Sequence, residues 1–207
     1  GRRADAAKIL EQKNRLVLAF HQMGRVILSS LDEEVILDSF VRQIMEAGIF
    51  RSLMVALVDE AGKRIVVKGN CVRAMADSVS GLPPGQARSG SIESIPFVLR
   101  AVEGKNVTVE EKPIVGLSYD LDDANITAET ARQGELQILE GWDDRFDRSL
   151  LNENEPRAAT YLNKVSFFVP VKYGDRVLAV LATGSDGDQK GEVLHHIEAM
   201  QPLLDLF

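Results

Sequence analysis

The sequence predicts an α+β sandwich: a central antiparallel sheet of about five to six strands, with the N- and C-terminal helices packed on one face. Three observations lead there. Runs of β-branched and aromatic residues come as adjacent pairs joined by turn residues, a hairpin order and not a βαβ alternation. Both ends of the chain carry apolar residues at helical spacing, at Ile9, Leu16, Phe20, Met23, Ile27 and Leu31, and at Val193, Ile197, Met200, Leu204 and Phe207. The composition, 45% hydrophobic and 27% charged over 207 residues, suits one ordinary soluble domain with extra elements.

Positions 4–31 contain no proline and predict a helix ~40 Å long at 1.5 Å per residue. Leu10, Val17 and Leu28 widen its apolar stripe beyond what a lone surface helix needs, so it wants a partner helix along its length. Ser30-Leu-Asp-Glu33 reads as a capping box. The second helix it opens carries Val35, Ile36, Phe40, Ile44 and Met45 inward and ends near Gly48. Positions 51–59 form a strand, closed by Asp59-Glu-Ala-Gly62, with 64–73 as its antiparallel return. Segment 78–94 is rich in Ser, Gly and Pro and reads as loop. A short helix is expected at 95–103, with Pro96 in its first turn where a missing N–H costs nothing, then a short strand at 106–110.

Positions 126–151 read as helix with Leu136, Leu139, Trp142 and Phe146 on one side, weakened by Gly134 and Gly141. The runs 165–171 and 177–183 then flank Tyr173-Gly-Asp-Arg176. Gly174 takes positive φ without steric cost and Asp175 can bond its own backbone, so the runs fold back as a hairpin. Both are too apolar to expose a face, which puts this hairpin inside the sheet. In the closing helix, 190–207, Pro202 is expected to cause a kink or a stop.

Charge and cysteine content narrow the function. A net charge of −7 argues against nucleic acid, which needs a basic surface. The excess is local: between Glu110 and Thr160 stand 13 acidic and 5 basic residues, read as solvated loop and helix surface. Cys71 has no second cysteine for an internal disulfide and points to a reducing compartment, the cytoplasm. No apolar run approaches the ~20 residues of a membrane-spanning helix, and no signal peptide opens the chain. The chain begins Gly-Arg-Arg and stops at Phe207 inside an apolar helical pattern, so both ends are expected to be cuts in a longer protein.

Several stretches together carry a family resemblance. Leu28-Ser-Ser-Leu-Asp-Glu-Glu-Val-Ile-Leu37 resembles the opening helix of the GAF domains, and Met54-Val-Ala-Leu-Val-Asp-Glu-Ala-Gly-Lys-Arg-Ile-Val66 their first hairpin. Leu99-Arg-Ala-Val-Glu-Gly-Lys-Asn-Val-Thr108 resembles the helix-then-strand passage near their pocket. Phe168-Val-Pro-Val-Lys-Tyr-Gly-Asp-Arg-Val-Leu-Ala-Val-Leu181 resembles their closing hairpin, with Ala179 where Gly is commonest. GAF domains are small-molecule sensor modules of cyclic-nucleotide phosphodiesterases, phytochromes and bacterial sensor kinases.

The resemblance covers roughly 28–205. It implies a helix bundle on one face of the sheet and, on the other, a pocket closed by loops and short helices. It also implies homodimerisation through the terminal helices, which commonly join coiled-coil linkers. The organisation it suggests is a linker helix at 1–30 and a sensory domain at 31–207, with a helical acidic insertion at 112–161. The function implied is small-molecule sensing in a bacterial-type signalling protein, such as a two-component sensor histidine kinase, relayed to an output domain in cis. The alternative is a dimerisation and protein-interaction module with a filled core.

Specific chemistries of that family lack their residues here. Methionine sulfoxide reduction needs an attacking and a resolving thiol, and only Cys71 is present. Asn163-Lys164 is followed by Val-Ser-Phe, so the cyclic-nucleotide signature is missing, and Cys71 precedes Val72 where bilin attachment often places His. No motif supports bilin, haem or cyclic nucleotide. His195 and His196 are adjacent and point ~100° apart on a helix, which does not suit a metal pair, and His196-Ile-Glu with Pro202 does not fit a phosphoacceptor box, which wants an acid directly after His and Pro five places on. Segment 81–90 lacks the Gly-Lys-Ser/Thr of a phosphate loop. The pairs Asp122-Asp123 and Asp143-Asp144 are adjacent and not convergent. No catalytic set stands out, and the chain reads as a non-enzyme.

What remains is a pocket with apolar walls and a few polar groups. Phe97, Trp142, Phe146, Tyr161 and Phe168 are its expected walls, Arg73, Arg88 or Arg100 its anion anchor, and Cys71 a neighbour. Trp142 and Phe146 would equally serve to fasten the insertion to the sheet.

Overall fold

The computed structural model describes residues 50–73, 92–94, 97–98, 112–150 and 161–204, and helical positions 7, 10, 11, 14, 15, 17, 18, 41, 42, 44 and 45. At 72–73, 92–94, 97–98, 112 and 202–204 it describes the backbone alone. The strands in chain order are β1 (Ser52–Val58), β2 (Arg64–Arg73), β3 (Ile92–Ser94), β4 (Phe97–Val98), β5 (Lys112–Pro113), β6 (Ser118–Asp120), β7 (Gln137–Glu140), β8 (Lys164–Tyr173) and β9 (Arg176–Asp186). Two helices accompany them, α1 (Ile126–Gln133) and α2 (Lys190–Leu204). Seven strands form one antiparallel sheet, ordered β3-β2-β1-β9-β8-β7 with β6 also on β2; β4 and β5 pair separately.

The β8–β9 hairpin lies inside the sheet, as its apolar runs require. Gly174 turns it with φ 58, and Asp175 keeps negative φ, the sign pattern of a type II′ turn. Pro170 is compatible with an interior strand because β7 pairs with β8 only as far as Phe168, so β8 is locally an edge there.

Strand alternation divides the core into two layers. On one side Leu53, Val55, Phe167, Val169 and Leu181 pack against Val41, Ile44 and Met45 and against Val193, Ile197 and Met200 of α2. Ile44 and Met45 are fully buried, each contributing about 2–3 kcal/mol of hydrophobic stabilisation. On the other side Ala56, Ile65, Val67 and Val180 lie with Ile126, Ala128 and Ala131 of α1. A β-bulge breaks the alternation in β2: Val55 faces Gly69 and Ala56 faces Val67, leaving Lys68 unopposed and exposed. The extra residue reverses the facing of everything after it. Ile65 and Val67 face α1, whereas a Cβ on Gly69 would stand 3.9 Å from Val41 on the helix side.

Residues 92–94, expected as the end of a loop, form β3 and pair with the end of β2. Three further expectations are corrected. Positions 126–151 are not one helix: Asn125 caps α1 by accepting from Thr127 N at 2.8 Å, and Gly134, left-handed at φ 64, ends it by donating to Thr130 O. Beyond it Ile138 packs on the α2 side and Leu139 on the α1 side, a period of two, and the segment joins the sheet as β7. Over its described part, 112–150, the expected helical insertion is instead largely strand and turn around one short helix, because β6 and β7 are strands of the main sheet. Phe97 and Val98, expected in a short helix, are extended and pair with Pro113 and Lys112, in keeping with their strand preference. The strand expected at 106–110 lies outside the described residues, as do Val35, Ile36 and Phe40.

The described positions between 7 and 18 are helical, with Leu10 and Leu18 exposed. Pro202 lies within α2, which is described as far as Leu204. Among the described residues no helix is long and apolar enough to cross a membrane.

Candidate functional site

The α1 side of the sheet gathers the predicted aromatic residues. Phe168 reaches it from β8, and Trp142, Phe146 and Tyr161 arrive from the turns after β7 and before β8. The Phe146 ring stacks on Tyr161 with centroids 5.0 Å apart and meets the edge of Trp142 at 5.4 Å. Trp142 also lies edge-on to Tyr161 at 5.3 Å, and Phe168 stands 6.2 Å from Phe146. Phe146 and Phe168 are buried, while Trp142 and Tyr161 are half-buried at the rim. Such spacings are those of rings in direct contact.

The loop bearing Trp142 and Phe146 is fastened by charge. Arg145 grips Asp143 through two hydrogen bonds, at 2.9 and 3.0 Å, and reaches Glu129 of α1 at 3.1 Å. Its backbone carbonyl accepts from Ile126 N at 3.0 Å, so the start of α1 and this loop are one unit. The guanidinium hydrogen bonds hold the Asp143 carboxyl below its usual range, and the same bonds raise Arg145. Tyr119 donates to Asp147 at 2.7 Å; burial first, then this partner, push its phenol well above the ordinary value.

A row of residues crosses the sheet beside the aromatic rings. Asn70 opposes Met54, Met54 opposes Ala182, and Ala182 opposes Phe168. Met54 and Ala182 are half-buried on the α1 side. Asn70, buried between Gly69 and Cys71, points to the same side because the bulge turns its two neighbours away. Sequence reasoning did not find Met54, Asn70 or Ala182 as a group. The one signal was a lone amide in a β-branched strand; the register that aligns it is invisible without the bulge.

Four of the expected site residues therefore meet: Trp142, Phe146, Tyr161 and Phe168. Cys71 does not join them. It is 1% exposed in the α2-side core with Val41 and Ile44, placed there by the bulge at Lys68. Arg73 ends β2 opposite Ile92, and Phe97 opposes Pro113 outside the main sheet. Arg88 and Arg100 lie outside the described residues.

The acidic pairs are not poised for acid–base work. Asp143 is held by Arg145, and Asp144 accepts from the Trp142 indole at 3.2 Å and from Arg148 at 3.3 Å. Asp123 caps the turn by accepting from Asp120 N at 2.9 Å. Among the described residues no three His, Cys, Asp or Glu side chains are grouped to hold a metal ion.

Comparison of the structure with solved ones gives the class of the fold. The GAF domain of A. aeolicus nlh2 in an inactive state superposes with a TM-score of 0.51 over 94% of both chains, at 10% identity. The GAF domain of an Acinetobacter phosphoenolpyruvate-protein phosphotransferase gives 0.47 over 94% of this chain and 91% of that one, at 17% identity. A GAF domain from the Coxiella burnetii phosphoenolpyruvate-protein phosphotransferase gives 0.46 over 93% and 92%, at 9% identity. The chain has the GAF fold, as its hairpins and terminal helices imply. No family model matches it, and no curated protein matches it in sequence.

Proposed function

We propose that the chain is a regulatory sensory domain of a bacterial-type signalling protein, binding a small molecule and passing its bound state through the terminal helices to an output domain. The observation that carries this reading is a half-buried apolar and aromatic rim on the α1 side of the sheet. Beside the fully buried Ala56, Ile65, Val67 and Val180, that side leaves Met54, Ala182, Trp142 and Tyr161 half-buried around Phe168. A binding face is apolar with few polar groups, and that side fits the description. Phe168, Tyr161 and Trp142 are the proposed walls, with Asn70 as a polar contact. Arg73, Arg100 and Phe97 complete the proposed set, the arginines for a carboxylate or phosphate. Binding would act by population shift, favouring one seating of the terminal helices over another. A sensor histidine kinase is the parent we favour, and the compartment the single buried thiol suits is the cytoplasm.

Native mass spectrometry of the purified chain tests this, followed by thermal-shift screening of small aromatic and anionic metabolites. A co-purifying molecule, or a hit whose stabilisation disappears in Phe168→Ala, supports sensing. A chain that carries nothing and is stabilised by nothing in the screen refutes it.

A second reading, an interaction module with a filled core, is favoured by one observation: the Trp142, Phe146 and Tyr161 rings touch one another and leave no room between them. Under both readings the chain is proposed to form a homodimer through its terminal helices, where Leu10 and Leu18 stand 59% and 61% exposed. Sedimentation of Leu18→Lys separates dimer from monomer.

A further inference from the structure

The turn at 161–164 is where the two sides of the sheet are joined. Tyr161 gives its ring to the aromatic cluster, 5.3 Å from Trp142 and 5.0 Å from Phe146. Two residues on, Asn163 is left-handed at φ 56, and its carbonyl accepts Gly187 N–H at 2.7 Å. Gly187 opens the 3₁₀ turn Gly187–Gln189 that leads into α2. A Cβ on Gly187 would meet the Asn163 carbonyl oxygen at 3.4 Å, so turn and lead-in are in close contact.

Further bonds close the corner. Lys164 N donates to Tyr161 O at 3.1 Å, and Gly141 N, beside Trp142, donates to Lys164 O at 2.9 Å. Ion pairs join Lys164 to Asp186 and Lys190 of α2 to Glu140 of β7. The end of β7, the start of β8 and the lead-in to α2 are thus bonded to one another within a few residues. Asn163 suits the left-handed turn because asparagine tolerates positive φ better than other residues with a Cβ.

We propose that this corner is a coupling joint: the packing of Trp142 with Tyr161 and the seating of the first turn of α2 form one cooperative unit. Whatever repacks the rings then shifts the start of α2, and the reverse holds by reciprocity. The inference deepens the sensory reading and rests on it for its use. Its test needs no ligand, so a chain that binds nothing leaves the outcome unaffected.

Tyr161→Leu removes the ring while keeping an apolar side chain. Amide exchange at Gly187 and in the first turn of α2 is expected to quicken about fivefold, the low end of coupling between linked sites. Val67→Ala, on the same side of the sheet but outside the ring cluster, should leave that exchange unchanged, because local opening does not follow global stability. From the other end, Gly187→Pro removes the N–H that Asn163 accepts. Trp142 is the single tryptophan of the chain, so acrylamide quenching of its emission reads the cluster directly, and it should rise in this variant. Unchanged exchange in Tyr161→Leu, equal quickening in Val67→Ala, or unaltered quenching in a folded Gly187→Pro overturns the joint. If Gly187→Pro does not fold, the exchange experiment decides alone.

Discussion

Phe146 offers a sharp test of what the aromatic cluster is for. It is 9% exposed and touches three other rings, at 5.0, 5.4 and 6.2 Å. Truncating a buried Phe to Ala costs about 3–5 kcal/mol when the surroundings stay in place. Here Trp142 and Tyr161 are half-buried and can settle inward, which favours the lower end, about 3 kcal/mol. For a chain of this size each kcal/mol moves Tm by about 2–4 °C, so Phe146→Ala should melt about 6–12 °C lower. Urea unfolding followed both by Trp142 emission and by far-UV circular dichroism measures the loss, and coincident transitions show that the cluster belongs to the cooperative core. A cost below about 1 kcal/mol would refute the reasoning. The rings would then line an open site without holding the α1 side together.

Other substitutions probe single features. Gly134→Ala forces a Cβ into a left-handed position with φ 64, 3.0 Å from the Lys172 Cε, and should destabilise by about 1–2 kcal/mol in thermal unfolding; a neutral result would mean the helix can end otherwise. Among the described residues the buried Ser185 hydroxyl oxygen has no hydrogen-bond partner, so Ser185→Ala should be neutral or stabilising by about 1 kcal/mol in urea, and a clear loss would reveal a bound water. Burial chiefly, with His195 adding, lowers the pKa of His196 below its ordinary 6.5, while Glu192 opposes. The unfolded chain then takes up a proton first, so this contribution is whole above 6.5 and declines as pH falls through the folded pKa. His196→Gln should flatten that part of the stability–pH profile, and an unchanged slope would assign it to other groups.

The two main hairpins were legible because their strands carry their own signals: β-branched runs and the Gly174 turn are local features of the chain. The short strands β3 and β6 carry no such run and were not legible. Two further things were not. Leu136 and Leu139 fit a helical spacing as well as a strand's, and only the left-handed Gly134 shows that the helix stops and β7 begins. The bulge at Lys68 leaves no mark in composition, yet it decides which way Gly69, Asn70 and Cys71 face. Trp142, Phe146, Tyr161 and Phe168 could be named as a group because large aromatic side chains must be buried somewhere. Cys71, expected beside them, lies on the far side. Asn70, Met54 and Ala182 become neighbours only through cross-strand register.

The same bulge gives the chain a chemical clock. Its single thiol, turned toward the helices, is 1% exposed and beyond the reach of a thiol reagent while they stay seated. Reaction at Cys71 therefore counts the moments when the helices lift from the sheet, and ignores motion on the opposite side. A cysteine introduced at a surface position would take a label alone, leaving the buried sulfur to time the opening that signalling through those helices would require.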